Sequence, residues 1–160
     1  MRKAFYLLIV LPLLISNCGN SSSTNHNSNE SIIYFLVTEI PGTEFHGDSY
    51  VVGIEDPDDI EYARSLIYAN GENQGQGTII ICKIAEGSDG INRDLLSDED
   101  HLWSWHVIEF LEFAHTTAEI LDGSPSYVET DVIGWINNTN SLIGFWGYTI
   151  TRELDEAELD

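Results

Sequence analysis

Between residues 101 and 119 the chain collects His101, His106, Glu109, Glu112, His115 and Glu119. Imidazole and carboxylate together suit zinc or a similar ion, and a metal-activated water there would make a hydrolase built on His106 and nearby carboxylates. Spacing divides the readings. On a helix Glu112, His115 and Glu119 share a face, whereas on a strand His106 and Glu109 point opposite ways. A solvated acidic face with one or two satisfied histidines is the simpler reading. Residues 86–100 add Asp89, Asn92, Asp94, Asp98, Glu99 and Asp100, oxygen donors of the kind calcium uses, without the acid order of an EF-hand. The aromatics Trp103, Trp105, Trp135, Phe145, Trp146 and Tyr148 offer a sugar or peptide platform, with Trp103, Trp105 and Trp146 as candidate binding residues. Trp103 and Trp105 fall on one strand face, so both are core or both are displayed. Cys82 lies in an apolar run and reads as a small buried hydrophobe, since Lys83 points to the other face. Phosphate-loop, GxSxG, HExxH and paired CxxC motifs are absent, and no residue is assigned as catalytic.

The elements that must position these residues follow from periodicity. Ile32–Ile40 and Ser49–Ile54 read as strands, separated by a Pro41-Gly42 turn. Asp56 caps a helix with Pro57 at its first position, and Ile60, Ala63, Leu66 and Ile67 make its apolar stripe. Thr78–Ile84, apolar on both faces, predicts a central strand. Leu102–Phe110 reads as a strand, and 110–121 is ambiguous between strand and helix, with strand preferred for its threonines and aromatics. Ser124-Pro125 opens a second helix to Asn137, Leu142–Arg152 is a last strand, and the acidic end should fray. Strands outnumber helices, so the expected fold is α+β: a single, mainly antiparallel sheet of about five to six strands with two helices packed on it.

The domain expectation is a leader at 1–17, a tether at 18–31, one domain at 32–154 and an acidic tail at 155–160. Arg2 and Lys3 precede the apolar run Ala4–Ile15, too short to cross a bilayer as a folded helix and read as a secretory signal. Cys18 with Gly19 resembles the lipobox of bacterial lipoproteins, which implies a lipid on Cys18, a cell-envelope location and a membrane as partner; Asn17 departs from the family's small residue. Residues 19–31 (GNSSSTNHNSNES) form a polar tether. With Cys18 acylated, Cys82 stands alone and no disulfide forms within the chain. Losing Arg2 and Lys3 takes the formal charge from −21 to about −23. That surplus repels nucleic acid and anionic lipid, and favours cationic partners or divalent metals.

Asp56-Pro57-Asp58-Asp59-Ile60-Glu61-Tyr62-Ala63-Arg64, then Gly77–Lys83, Trp103-Ser104-Trp105-His106, and Glu119–Glu129 (EILDGSPSYVE) stand in an order and spacing that resemble a family of small uncharacterised domains in secreted bacterial proteins. The resemblance covers about residues 33–154. Two cysteines of that family fall at Leu121 and near Gly144, so a disulfide it implies is missing here. The resemblance implies a fold and an extracytoplasmic setting but no reaction, and raises His106, Glu119, Asp122 and Glu129. A metal on His106, Glu119 and Asp122 is one expectation; a buried His106 bonded structurally to Asp122 or Glu119 is the preferred one. The functional expectation is a non-enzymatic binding or envelope-associated module without cofactor. The alternatives are the metal-dependent hydrolase and a calcium-responsive adhesion domain.

Overall fold

The computed structural model describes residues 31–42, 45–70, 78–99 and 101–160. Cys18, Asp100, the expected leader and most of the expected tether lie outside them. Among the described residues no helix is long and apolar enough to cross a membrane.

β1 (Ile33–Glu39) pairs antiparallel with β2 (Ser49–Ile54) on one side and with β8 (Tyr148–Glu153) on the other. β3 (Ile79–Glu86) lies between β6 (Trp105–Ala114) and the short β7 (Leu142–Ile143), and β4 (Arg93–Asp94) pairs with β5 (His101–Leu102). The fold is thus α+β with three small antiparallel sheets, not the single sheet of five to six strands expected from sequence. Hydrophobic alternation marks which face of a strand is buried, but not which strand it bonds to.

The two three-stranded sheets share one core. Phe35, Val37, Tyr50, Val52 and Ile150 from the first meet Ile80, Cys82, Ile84 and Trp105 from the second. α1 (Pro57–Asn70) packs on β8 and adds Ile60, Ala63 and Leu66. Asp56 caps it as expected, with Oδ1 accepting from the amides of Asp58 and Asp59 at 2.9 and 3.3 Å. Burying each such aliphatic side chain is worth about 1.5–3 kcal/mol, so the core can hold the domain without a disulfide. β3 is the middle strand of its sheet.

Three local readings are corrected. The second helix is two: α2 (Pro125–Thr130) and α3 (Val132–Thr139), divided at Asp131, whose carboxylate caps the Gly134 amide at 2.9 Å. A Cβ on Gly134 would lie 2.2 Å from Asp131 Oδ2, so glycine there lets the cap close. The last strand is likewise broken, by the turn at Gly144–Gly147, with Gly147 at φ +80°. The acidic end does not fray either. Leu154 is buried and Leu159 packs beside it on Leu36 and Val51, while Arg93 donates to the carbonyls of Leu159 and Asp160 at 3.0 and 3.3 Å.

Candidate functional site

Glu39 ends β1, and the chain turns back at Pro41-Gly42 toward β2. Its carboxylate is buried and gathers the returning loop. Oε2 accepts the amides of Phe45, His46 and Gly47 at 2.9, 3.0 and 2.9 Å, and Oε1 receives His46 again at 3.2 Å. Charge-assisted bonds of this kind are stronger than neutral ones, so the loop is fixed from beneath. Asp48, also buried, ties it to two further elements: Oδ2 accepts the Ser126 amide at 3.0 Å, and Oδ1 accepts the Tyr148 hydroxyl. Burial first, then the bond to Asp48, pushes the Tyr148 phenol far above its ordinary range, so it remains a neutral donor. Ser124 caps α2 through the Tyr127 amide at 3.2 Å.

Loop 39–48, segment 122–127 and turn 146–148 therefore converge around a cleft of about 650 Å³. Phe45, Tyr127 and Trp146 stand at it 90%, 64% and 49% exposed. Tyr127 is steadied by an edge contact with Trp135, ring centres 5.8 Å apart. Asp122 and His46 complete the wall, and neither side chain has a hydrogen-bond partner among the described residues.

Of the sequence candidates, Trp146, Tyr148 and Asp122 reach this cleft. Trp103 and Trp105 do not. They are 4% and 0% exposed and stack at 6.1 Å in the core, with Trp103 Nε1 donating to the Ser49 carbonyl at 2.9 Å. His106 is half-buried, and its Nδ1 bonds the Gly87 carbonyl at 2.7 Å rather than Asp122 or Glu119. Glu119 opens an exposed single 3₁₀ turn, while Glu112 lies on β6 and His115 beyond its end, so the helical face for a metal does not form. Among the described residues no group of three or more His, Cys, Asp or Glu side chains is placed to hold a metal. Glu129 accepts the Ser104 amide at 2.9 Å, fastening α2 to the Trp103–His106 segment.

Part of the acidic stretch is engaged by the chain itself, with Asn92 and Asp94 buried and Asp98 and Glu99 exposed. Asp89 Oδ1 accepts the amides of Ile91 and Asn92, both at 2.8 Å. Asn92 bridges the two sheets, accepting from the Val51 amide at 3.0 Å and donating to the Trp105 carbonyl at 2.9 Å. Asp94 Oδ1 takes the Ser49 amide and hydroxyl at 3.0 and 2.8 Å. These oxygens serve the chain's own donors, and calcium would have to displace them. Cys82 is fully buried and its thiol is pushed far up by burial, which leaves no reactive thiolate.

The cleft and the inter-sheet core fall within residues 31–157, the span that matches the family model described as the BP-74 N-terminal domain. The chain belongs to that family. The match begins at residue 31 and runs to 157, past Leu154 and short of Leu159, the tail residue that packs on Leu36 and Val51. No curated protein and no solved structure matches the chain.

Sequence reasoning missed Glu39, Phe45, His46 and Tyr127 as residues of the cleft, and Asp48 as the buried acid that ties its elements together. A signal existed for one of them. Glu39 is an acid at the end of an otherwise apolar strand, and a buried carboxylate must find donors. The others are ordinary loop and helix residues until the chain ends of three elements meet.

Proposed function

We propose that this BP-74 N-terminal domain is a non-enzymatic binding module, tethered to a bacterial membrane by a lipid on Cys18, whose ligand enters the Phe45–Tyr127–Trp146 cleft. One observation carries the reading: three exposed aromatic rings surround a cleft whose wall is held by Glu39, which lines it and binds the loop backbone, and by Asp48 behind it, which binds Tyr148. Concave sites with rigid apolar walls and a few free polar groups are where small ligands bind. The ligand class that fits is a sugar ring or an apolar peptide side chain, stacked on the rings and hydrogen-bonded by Asp122 and His46.

Tethering by lipid rests on the order of charge, apolar run and Cys18 in residues 1–18. It also gives the Ser/Asn tether a purpose, holding the cleft away from the membrane. The test pairs two experiments. Radiolabelled palmitate should enter the wild type and not Cys18→Ser. Intrinsic fluorescence should respond to oligosaccharides or short apolar peptides in the wild type, and Trp146→Ala should abolish binding while leaving the melting temperature within about 2 °C. A Trp146→Ala variant that binds the same ligands with unchanged affinity would sink the cleft assignment.

A further inference from the structure

Away from the cleft, β6 carries two bulges. Its register on β3 passes from Ile81↔Glu112 to Cys82↔Phe110, skipping Leu111, and from Lys83↔Glu109 to Ile84↔Val107, skipping Ile108. A bulge sets two residues against one and re-aims a side chain. Val107, Phe110 and Phe113 consequently all pack on the core, while Ile108 and Leu111 stand 55% and 36% exposed. Both line a crevice of about 410 Å³, together with Tyr34 and Gly53 of the other sheet and Ile32 just before it. Gly53 keeps that floor open, because a Cβ there would meet Ile32 Cγ2 at 2.8 Å.

Apart from Val107 and Phe110, the rest of the crevice wall is acidic: Glu55, Asp56, Asp59, Asp89 and Glu109, with no lysine or arginine among the lining residues. Asp56 and Asp89 are engaged with backbone amides, and Glu109 with Lys83 at 2.6 Å. The side chains of Glu55 and Asp59 have no hydrogen-bond partner among the described residues. Burial, followed by the charges of Asp56 and Asp58, holds the Asp59 carboxyl above its usual range, a strain that an incoming cation relieves.

We propose that this crevice docks an extended basic segment of a partner protein in which apolar residues alternate with lysine or arginine. Apolar side chains of the partner would seat on Ile32, Tyr34, Ile108 and Leu111, and its cations would lie on Glu55 and Asp59. Charge selects the occupant, since a second copy of this chain brings the same surplus of acid and is repelled. β6 is an edge strand, but its two bulges interrupt the row of backbone groups that a simple added strand would need. Side chains, not a backbone ladder, must therefore carry recognition.

The probe is a fluorescein-labelled peptide of alternating Lys and Leu, with Lys-Ser and Glu-Leu repeats as comparisons, titrated into the purified full chain by anisotropy. Lys-Leu should bind at least tenfold more tightly than Lys-Ser, and Glu-Leu should not bind. The double variants Glu55→Lys/Asp59→Lys and Ile108→Ser/Leu111→Ser should each weaken Lys-Leu binding at least tenfold. Asp98→Lys/Glu119→Lys, the same charge change on exposed residues outside the crevice, should leave it within about threefold. Equal losses from the two charge variants would mean that the peptide senses only net charge, and overturn the proposal. So would Lys-Ser binding as well as Lys-Leu, or an Ile108→Ser/Leu111→Ser variant with native circular dichroism and unchanged affinity.

Discussion

Removing the carboxylate of Glu39 should release the loop that presents Phe45 and His46. Oε2 alone receives three amides between 2.9 and 3.0 Å, while Oε1 has one longer contact at 3.2 Å. A hydrogen bond to a charged group contributes about 1.5–3 kcal/mol, but the donors are partly exposed and water recovers much of that when the acceptor is lost. Glu39→Ala should therefore cost about 3 kcal/mol. Glu39→Gln should cost only about 1 kcal/mol, because its amide oxygen can occupy the Oε2 position and keep an acceptor there. In a domain of this size each kcal/mol corresponds to about 3–4 °C, so the alanine variant should melt about 10 °C lower and the glutamine variant about 3–4 °C lower. Native-state hydrogen exchange supplies the local readout. The amides of Phe45, His46 and Gly47 should lose about a hundredfold protection in Glu39→Ala, with core strand β3 changed only by the global loss of stability. If Glu39→Ala melts within 2 °C of wild type, or those three amides exchange unchanged, the carboxylate does not hold the loop and the rigid-wall argument for the cleft fails.

Asn92→Ala should cost about 3 kcal/mol in urea unfolding, because the Val51 amide and Trp105 carbonyl both lose their partner in a buried place; a loss below about 1 kcal/mol would show that the bridge between the sheets is dispensable. Tyr50 and Tyr148 are both raised above the ordinary phenol value, chiefly by burial. The unfolded phenols ionise first, so the stability these residues contribute is complete below about pH 10 and is lost as pH rises beyond it. Absorbance at 295 nm should report their ionisation only together with loss of near-ultraviolet circular dichroism, and titration of every tyrosine near pH 10 in a folded chain would contradict their burial. Arg64 grips Glu153 through two bonds of 2.7 and 2.8 Å, which holds that carboxyl below its usual range. The pair's contribution is present above the ordinary carboxylate range and disappears as pH falls through the depressed value. Because both side chains are substantially exposed, Glu153→Gln should cost at most about 1 kcal/mol at neutral pH, and a larger loss in thermal melts would mean that the pair is better shielded than its exposure indicates.

The ambiguity at residues 110–121 has a physical origin. Val107, Phe110 and Phe113 all reach the core, a spacing of three that fits one face of a helix and not a regular strand. The two bulges produce it, since each extra residue shifts the inward face by one. The same ambiguity allowed a helical metal face on Glu112, His115 and Glu119, which dissolves once β6 runs to Ala114. At the cleft, Trp146 and Asp122 were legible as residue types able to bind. Glu39 and Asp48 were not, because their role comes from backbone donors that only the folded loop supplies.

Composition and local pattern were sufficient for some properties of this chain. They establish its acid surplus, the cap at Asp56 and the β-rich α+β character. Each depends on neighbouring residues, and short-range sterics and hydrogen bonding act over that distance. Tertiary structure alone decided that two sheets, not one, enclose the core, that Trp103 and Trp105 belong to it, and that the acids at 89–94 serve the chain's own amides. It also decided where the exposed aromatics gather. β1 meets β8 across more than a hundred residues, and Asp48 meets Tyr148 across 100. No local rule encodes such pairings; they emerge when the whole chain buries its apolar faces at once.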